Sequence, residues 1–366
     1  MAQLQFFGNF NSFIPEATGQ IISFIRDPKN YRLNNYCQMV QSKKSVGVYK
    51  RIGLDQPVRS LGTDTNIWVN GKKRPPMHEN QLKFDDIEFQ CIRRNEGTTI
   101  GWETIEQADA KILTMYSAMC QNQLMTKRTQ RVITLLETTS NWTTNNVDTA
   151  NNLNGGAGFW DTAQSDPQDS KFLAIKKTLD TVAIRVKLLT NGMVDNNDKS
   201  TLKLIISPGA AVKMSQSPEI HAYLKESPYS LDQIKGRTPG QNAMWGLPDR
   251  MYGWDIEVED APIVTQNDVA AETWGAEASI AGPNATRKFV KSDNSAIVVS
   301  RVGGLDGQYG APSFSTVQIY YKDKEIDVET FDDPKHRLTE VHVSENVKEV
   351  LAAPISGFLI NNIFSA

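Results

Sequence analysis

The stretch Glu103–Glu137, ETIEQADAKILTMYSAMCQNQLMTKRTQRVITLLE, decides how the rest of the chain is read. Ile105, Ala108, Ile112, Met115 and Met119 recur at steps of three and four, and Val132, Ile133 and Leu136 renew the stripe. That spacing aligns apolar side chains along one face of an α-helix. Gly101 precedes the helix, and Thr104 with Gln107 fits a capping box. At 1.5 Å per residue the stretch predicts a rod of about 50 Å. A methionine-bearing stripe reads as a packed core face, so the helix is expected to be a girder and not a cofactor box.

Before the helix, residues 45–94 read as a long β-excursion. SVGVYKRIGL (45–54) and FDDIEFQCIRR (84–94) alternate with period two. Between them, IWVNGKKRPP (67–76) carries a hairpin-type Asn70-Gly71, and Pro75-Pro76 breaks the ladder. The run Lys72-Lys73-Arg74, with Trp68 nearby, is either a solvated tip or a contact to a partner. Residues 1–40 read as an arm: irregular aromatics and amides, with one short helix expected at Ala17–Arg26. Such a segment buries little alone and needs a surface to lie on.

After the helix, residues 138–169 turn rich in Asn, Thr, Gly and Asp, which predicts a long polar connection and a domain boundary. A second unit follows. It has a helix at Lys171–Leu189 closed near Asn191-Gly192 and a buried strand TLKLIIS (201–207). Pro208-Gly209 then turns the chain into one helix, AAVKMSQSPEIHAYLKES (210–227). Strands WDIEVED (254–260) and SAIVVSR (295–301) come next, then a hairpin region QIYYKDKEIDVETF (318–331). The alternating end of the chain is expected to rejoin the first unit.

The composition narrows the chemistry. Against 42 acidic residues stand 39 basic ones, a net charge of −3. So balanced a chain neutralises little phosphate, which argues against tight non-specific nucleic-acid binding. No apolar run approaches the ~20 residues of a membrane span, and MAQLQFFGNFNSF lacks the basic and apolar regions of a secretory leader. Three widely spaced cysteines (Cys37, Cys91, Cys120) fit neither a disulfide framework nor a zinc site, and read as small apolar fillers. The four histidines (His78, His221, His336, His342) sit in no catalytic or metal-ligating spacing. Gly155-Gly156-Ala157-Gly158 lacks the strand and the Lys-Ser/Thr of a phosphate loop. Neither Asp85-Asp86 nor Asp332-Asp333 has neighbours that would split the pair's acidities. Asn141-Trp-Thr and Asn284-Ala-Thr match glycosylation sequons by pattern alone. No catalytic, cofactor or metal residue is expected, and the chain is read as a non-enzyme.

The order of elements, with the stretches TLKLIISPGAAVKMSQSPEIHAYLKES (201–227), LPDRMYGWDIEVEDAPIV (247–264) and VHVSENVKEVLAAPISGFLI (341–360), resembles the major capsid proteins of tailed bacteriophages. These have the Hong Kong 97-type, or Johnson, fold. The resemblance implies an α+β capsid fold: N-terminal arm 1–40, extended β-loop 45–94, peripheral domain 95–150 and 326–366 with its long spine helix, and axial domain 151–325. It further implies a self-assembling icosahedral shell of hexamers and pentamers around double-stranded DNA, held without sequence-specific binding. Portal and possible scaffold or decoration proteins would be partners; no membrane or cofactor is implied, and the location would be the virion, assembled in the host cytoplasm. Inter-subunit contact is expected at Trp68, Lys72, Lys73 and Arg74. Some relatives join the loop to a neighbour through a lysine–asparagine isopeptide. Lys72, Lys73, Glu345 and Asn346 have the right chemistry, but no spacing selects them, and crosslinking is not expected.

Two other readings stay open: an encapsulin-type nanocompartment shell, and a soluble two-domain enzyme or binding protein with its site at the 138–169 junction. A packaged genome separates the phage shell from the first, and particle-sized material ends the second. If the helix is a core girder, Ile112→Asp unfolds the subunit, because an unpaired buried charge costs several kcal/mol; loss of the far-ultraviolet circular dichroism signal reads it.

Overall fold

The computed structural model describes residues 26–27, 30–52, 84–107, 112–161, 173–192, 194, 202–225, 242–266, 286–301 and 315–365. The helices, in chain order, are α1 Leu33–Tyr36, α2 Trp102–Gln107, α3 Ile112–Glu137, α4 Ala150–Leu153, α5 Ala174–Leu189, α6 Pro208–Ser215 and α7 Pro218–Lys225. The strands that place the site begin with β1 Gln38–Ser42, β2 Val46–Ile52, β3 Phe84–Gln90, β4 Ile92–Gly101 and β5 Val147–Thr149. They continue with β6 Leu202–Ile206, β7 Arg250–Met251, β8 Trp254–Val258, β9 Pro262–Gln266 and β10 Thr286–Phe289. The last are β11 Ser295–Ser300, β12 Val317–Lys322, β13 Asp327–Asp333, β14 Leu338–Leu351 and β15 Phe358–Asn361.

Two large sheets share one helix. A five-stranded sheet is built on β14, whose alternating VHVSENVKEV points Val341, Val343, Glu345, Val347 and Glu349 inward. Val347 pairs with Tyr321 on one side and Ile92 on the other. So β4 lines one edge of β14, while β12 and β13 run end to end along the opposite edge. β1 joins β12 in parallel. The six-stranded sheet has the order β5-β15-β11-β6-β8-β7. Its central strands read as continuous apolar runs, SAIVVS and LKLII, because helices and the other sheet cover them.

The long helix α3 fastens the two sheets together. Its first half packs Ile112, Cys120 and Leu124 against Ile100, Val341 and Val343. Its last turns place Val132, Ile133 and Leu136 among Ile205, Ile297, Val299 and Leu359 of one sheet and Val317, Ile319 and Val347 of the other. Charge completes the attachment. Arg128, fully buried, lays Nε and Nη2 each 2.8 Å from Oε2 of the fully buried Glu345 and also reaches Glu325. Arg131 joins Glu345 and Glu349. At the end of the helix, Lys291 (2% exposed) donates to Glu137 at 2.8 Å and to the Ser295 carbonyl, tying α3 to the start of β11.

Several expectations are corrected. The helical stretch begins at Trp102, straight out of β4, and is described as α2 and α3 on either side of residues 108–111. Thr104 is a buried first-turn residue and not an N-cap; the Trp102 N–H is satisfied by the Arg337 carbonyl at 3.0 Å. The helix expected at 210–227 is two, α6 and α7. Pro218 has no N–H to continue the first, and Ser217 accepts the Ile220 N–H to open the second. The 318–331 region is not a hairpin, since β12 and β13 both pair with β14, separated by a kink with Asp323 at φ +58°.

The polar stretch 138–161 is a built part of the core rather than a free connection. Asn141 Nδ2 and Trp142 Nε1 donate to the Leu135 and Leu136 carbonyls, satisfying the orphan end of α3. The buried Asn146 donates to the Ile355 and Gly357 carbonyls, and β5 pairs with β15. Buried amides here take the place of backbone pairing. Tyr31, Leu33, Tyr36 and Cys37, within the stretch read as an arm, are buried, and β1 is a sheet strand. The end of the chain divides: β14 rejoins β4 as expected, while β15 enters the six-stranded sheet beside β11. The closure expected at Asn191-Gly192 is present, with φ of +54° and +78° and Gly192 N–H on the Lys187 carbonyl. The Ala17–Arg26 helix lies outside the described residues save for Arg26.

Asn146→Ala strands the buried Gly357 carbonyl and the part-buried Ile355 one, and urea unfolding is expected to show a loss of about 1–3 kcal/mol. The exposed neighbour Asn145→Ala stays within about 0.5 kcal/mol of the parent.

Candidate assembly interface

β2 and β3 leave the body as a separate antiparallel ribbon, in register from Val46–Gln90 to Ile52–Phe84. Alternation gives it two faces. The inner face carries Gly47, Tyr49, Ile87 and Phe89. The Phe89 ring stacks on Tyr320 of β12 with centroids 4.0 Å apart, and Tyr49 lies 6.0 Å from the same ring. Cys91 and Val40 close this anchor. Burial, with Tyr49 beside it, pushes the Tyr320 phenol up to about 12, so the anchor stays uncharged across the physiological range. Gly47 is required by close approach: a Cβ there would stand 2.5 Å from the Phe89 ring.

The outer face presents Val46 and Val48, each more than half exposed, opposite Gln90 and Glu88. Two valines in a row on the open face of a two-stranded ribbon are an uncovered apolar strip. Other large apolar groups stand in water on the body: Ile184 and Leu188 one turn apart on α5, Met244, and Val328 and Phe331 on β13. The outer backbone of β13 has no pairing strand among the described residues, and its Asp327, Glu329, Asp332 and Asp333 give that edge the charge that blunts indiscriminate pairing.

Among the described residues no three metal-ligating side chains converge. His336 is held by Asp333 at 2.6 Å, and that hydrogen bond holds the Asp333 carboxyl below its ordinary pKa. His342 separately contacts Glu340 and Asn95. The 155–158 glycine loop spends its amides internally: Ala157 and Gly158 N–H groups bond the Asn154 and Asn151 side chains. The three cysteines are buried thiols, raised in pKa by burial.

Of the residues singled out in the sequence, Trp68, Lys72, Lys73 and Arg74, together with the Asn70-Gly71 turn and His78, lie outside the described residues. Glu345 faces the core on Arg128 and Arg131, whereas the half-buried Asn346 takes the opposite face of β14. Sequence reading missed the aromatic anchor and the Arg128–Glu345 contact. Its available signal was arginines at 128 and 131 inside an apolar helix, matched by glutamates at 345 and 349 on the inward positions of an alternating strand.

No family model matches the chain, and no curated protein sequence matches it. Solved structures do. A phage-related protein from Bordetella bronchiseptica superposes with a TM-score of 0.53 at 13% identity, over 92% of this chain and 93% of that one. The mature capsid of bacteriophage PhiM1 matches with a TM-score of 0.52 at 11% identity, over 95% and 91%. The capsid of cyanophage P-SCSP1u matches with 0.53 at 11%, over 96% and 93%. The chain has the fold of phage capsid proteins. The likeness spans nearly all of this chain, with its mixed helices and sheets.

Gly47→Ala forces the Phe89 ring off Tyr320. Hydrogen exchange in residues 46–49 and 86–90 is expected to speed up at least tenfold while β11 amides keep their protection; an unchanged ribbon would contradict the anchoring role.

Proposed function

We propose that this protein is the major capsid protein of a tailed bacteriophage, a subunit that assembles with its own copies into the icosahedral shell around the double-stranded DNA genome. The observation that carries this reading is a fold shared over more than nine-tenths of the chain with phage capsid structures. It is joined to a ribbon whose described part is anchored at its base by Phe89 on Tyr320 and exposes valines on its outer face. A closed shell is a symmetric assembly in which the same patches meet neighbours repeatedly, so weak contacts add through multivalency. The ribbon and its basic Lys72-Lys73-Arg74 stretch, with Trp68, would lie across a neighbouring subunit in a hexamer or pentamer. A net charge of −3 suits a wall that encloses DNA without gripping it. The subunit works as a structural element and not as an enzyme; portal, scaffold and decoration proteins would be its partners, and assembly would occur in the host cytoplasm.

Negative-stain electron microscopy of the purified full chain is expected to show closed particles of uniform diameter. Deleting Val58–Leu82 is expected to leave the circular dichroism spectrum of a folded subunit but abolish particles. Uniform shells from the deleted chain would overturn the overlap role, and a monodisperse monomer from the full chain at high concentration would overturn the shell reading itself.

A further inference from the structure

Where the N-terminal segment enters the body, three elements meet around one carboxyl group. Glu259, the residue after β8, is completely buried. Its Oε2 accepts the Tyr36 hydroxyl of α1 at 2.7 Å and its Oε1 accepts the Ala261 N–H at 3.2 Å. Tyr36 is itself fully buried, so this contact is the floor of the seat that residues 31–37 occupy. Tyr31, at the other end of the seat, packs on Met125 and Ala261 and places its hydroxyl between Asn122 and Thr126 of α3.

Among the described residues no cation is paired with Glu259. From the N-terminal segment, Arg26 faces it, but its Nη1 sits 2.8 Å from Asp260 and its guanidinium stacks over Tyr31 at 4.8 Å. Cys37 on the same segment is a buried thiol with a raised pKa. On its own strand stand Asp260 and Glu257, the latter taken by Lys203 and Asn35. Arg301, after β11, spends its Nη1 on the Asn34 and Asn35 carbonyls, and on the far side of Cys37 Arg128 is committed to Glu345 and Glu325. From α3, the uncharged Asn122 and Thr126 approach through Tyr31.

We propose that Glu259 is a proton-operated latch on the N-terminal segment: neutral, it holds residues 31–37 in their seat, and ionised it loosens them. A fully buried carboxylate with two hydrogen bonds and no paired cation among the described residues is costly, and protonation removes that buried charge. Burial accordingly pushes its pKa up from 4.5 to about 7, with Asp260 adding to the rise and Tyr36, Ala261 and Arg26 opposing it. The group is raised in the seated state and ordinary once hydrated, so the hold is strongest below about pH 4.5. It weakens as pH climbs to about 7 and is level above that. Over that window the seated-to-loosened ratio falls by about tenfold per pH unit.

Hydrogen exchange of the full-length protein, read by mass spectrometry at pH 5, 6, 7 and 8 and divided by the intrinsic rate at each pH, tests this. Protection of residues 31–37 is expected to fall by about 30- to 100-fold between pH 5 and 7 and then level off, while β11 (295–300) stays constant. E259Q, a neutral isostere, is expected to give a flat profile, and E257Q, on a carboxylate already paired with Lys203, to keep the parental one. A pH-independent seat in the parent, an equal fall in β11, or a slope that survives E259Q would each overturn the latch. Should E259Q not fold, the parental profile decides alone: a midpoint confined to residues 31–37 upholds the latch, and its absence removes it.

Discussion

A buried guanidinium–carboxylate contact between Arg128 on α3 and Glu345 on β14 is the constraint on which the rest of the molecule depends. Apolar packing alone brings a helix to a sheet but leaves its axial position soft, because one valine or leucine can exchange for the next. Two fully buried opposite charges allow no such slippage, since a shift of one helical turn would leave each unpaired in a medium of low dielectric. Arg131 and Glu349 extend the contact along the strand, and Lys291 with Glu137 repeats the device at the far end, against the other sheet. The C-terminal half of the helix is thus fixed to both sheets, to one by β14 and to the other by the start of β11.

What the clamp fixes, it also presents. β14 carries β4 on one edge and β12 on the other, and Tyr320 of β12 holds the ribbon through Phe89. The two faces of β12 therefore link α3 and the ribbon: Val317 and Ile319 pack with the helix, and Tyr320 on the opposite face holds Phe89. Beyond that root the ribbon has no second attachment among the described residues, and its valines face outward. In the proposed shell, the contrast between a fixed body and an outlying, partly apolar strip would supply a frame and a reach for neighbours to complete.

The sequence discloses those parts of the fold that rest on short-range periodicity. The 3.6-residue stripe of α3, the alternation of β14 and of the ribbon, and the Asn191-Gly192 closure were all legible, because each is set by residues within a turn or two. What was hidden depends on partners far along the chain. Nothing local shows that β12 and β13 share one edge of β14, since a strand–turn–strand pattern is the same whether its halves pair with each other or with a third strand. The 138–161 stretch looked like a linker because Asn and Thr are turn formers. Its amides instead cap the end of α3 and the backbone near Gly357, which no window around Asn146 reveals. Likewise Arg128 and Glu345, 217 residues apart, read singly as surface charges. At the candidate interface the ribbon was legible and its aromatic anchor was not.

A double-mutant cycle on Arg128 and Glu345 tests the central claim most directly. With unfolding free energies from urea titration of the parent, Arg128→Met, Glu345→Leu and the double variant, each single change is expected to cost about 3–5 kcal/mol by leaving its partner charged and buried. The double variant is expected to recover much of that loss, with a coupling of at least about 2 kcal/mol. Single losses below about 1 kcal/mol that simply add would contradict the account, and would show that packing alone holds the helix in register.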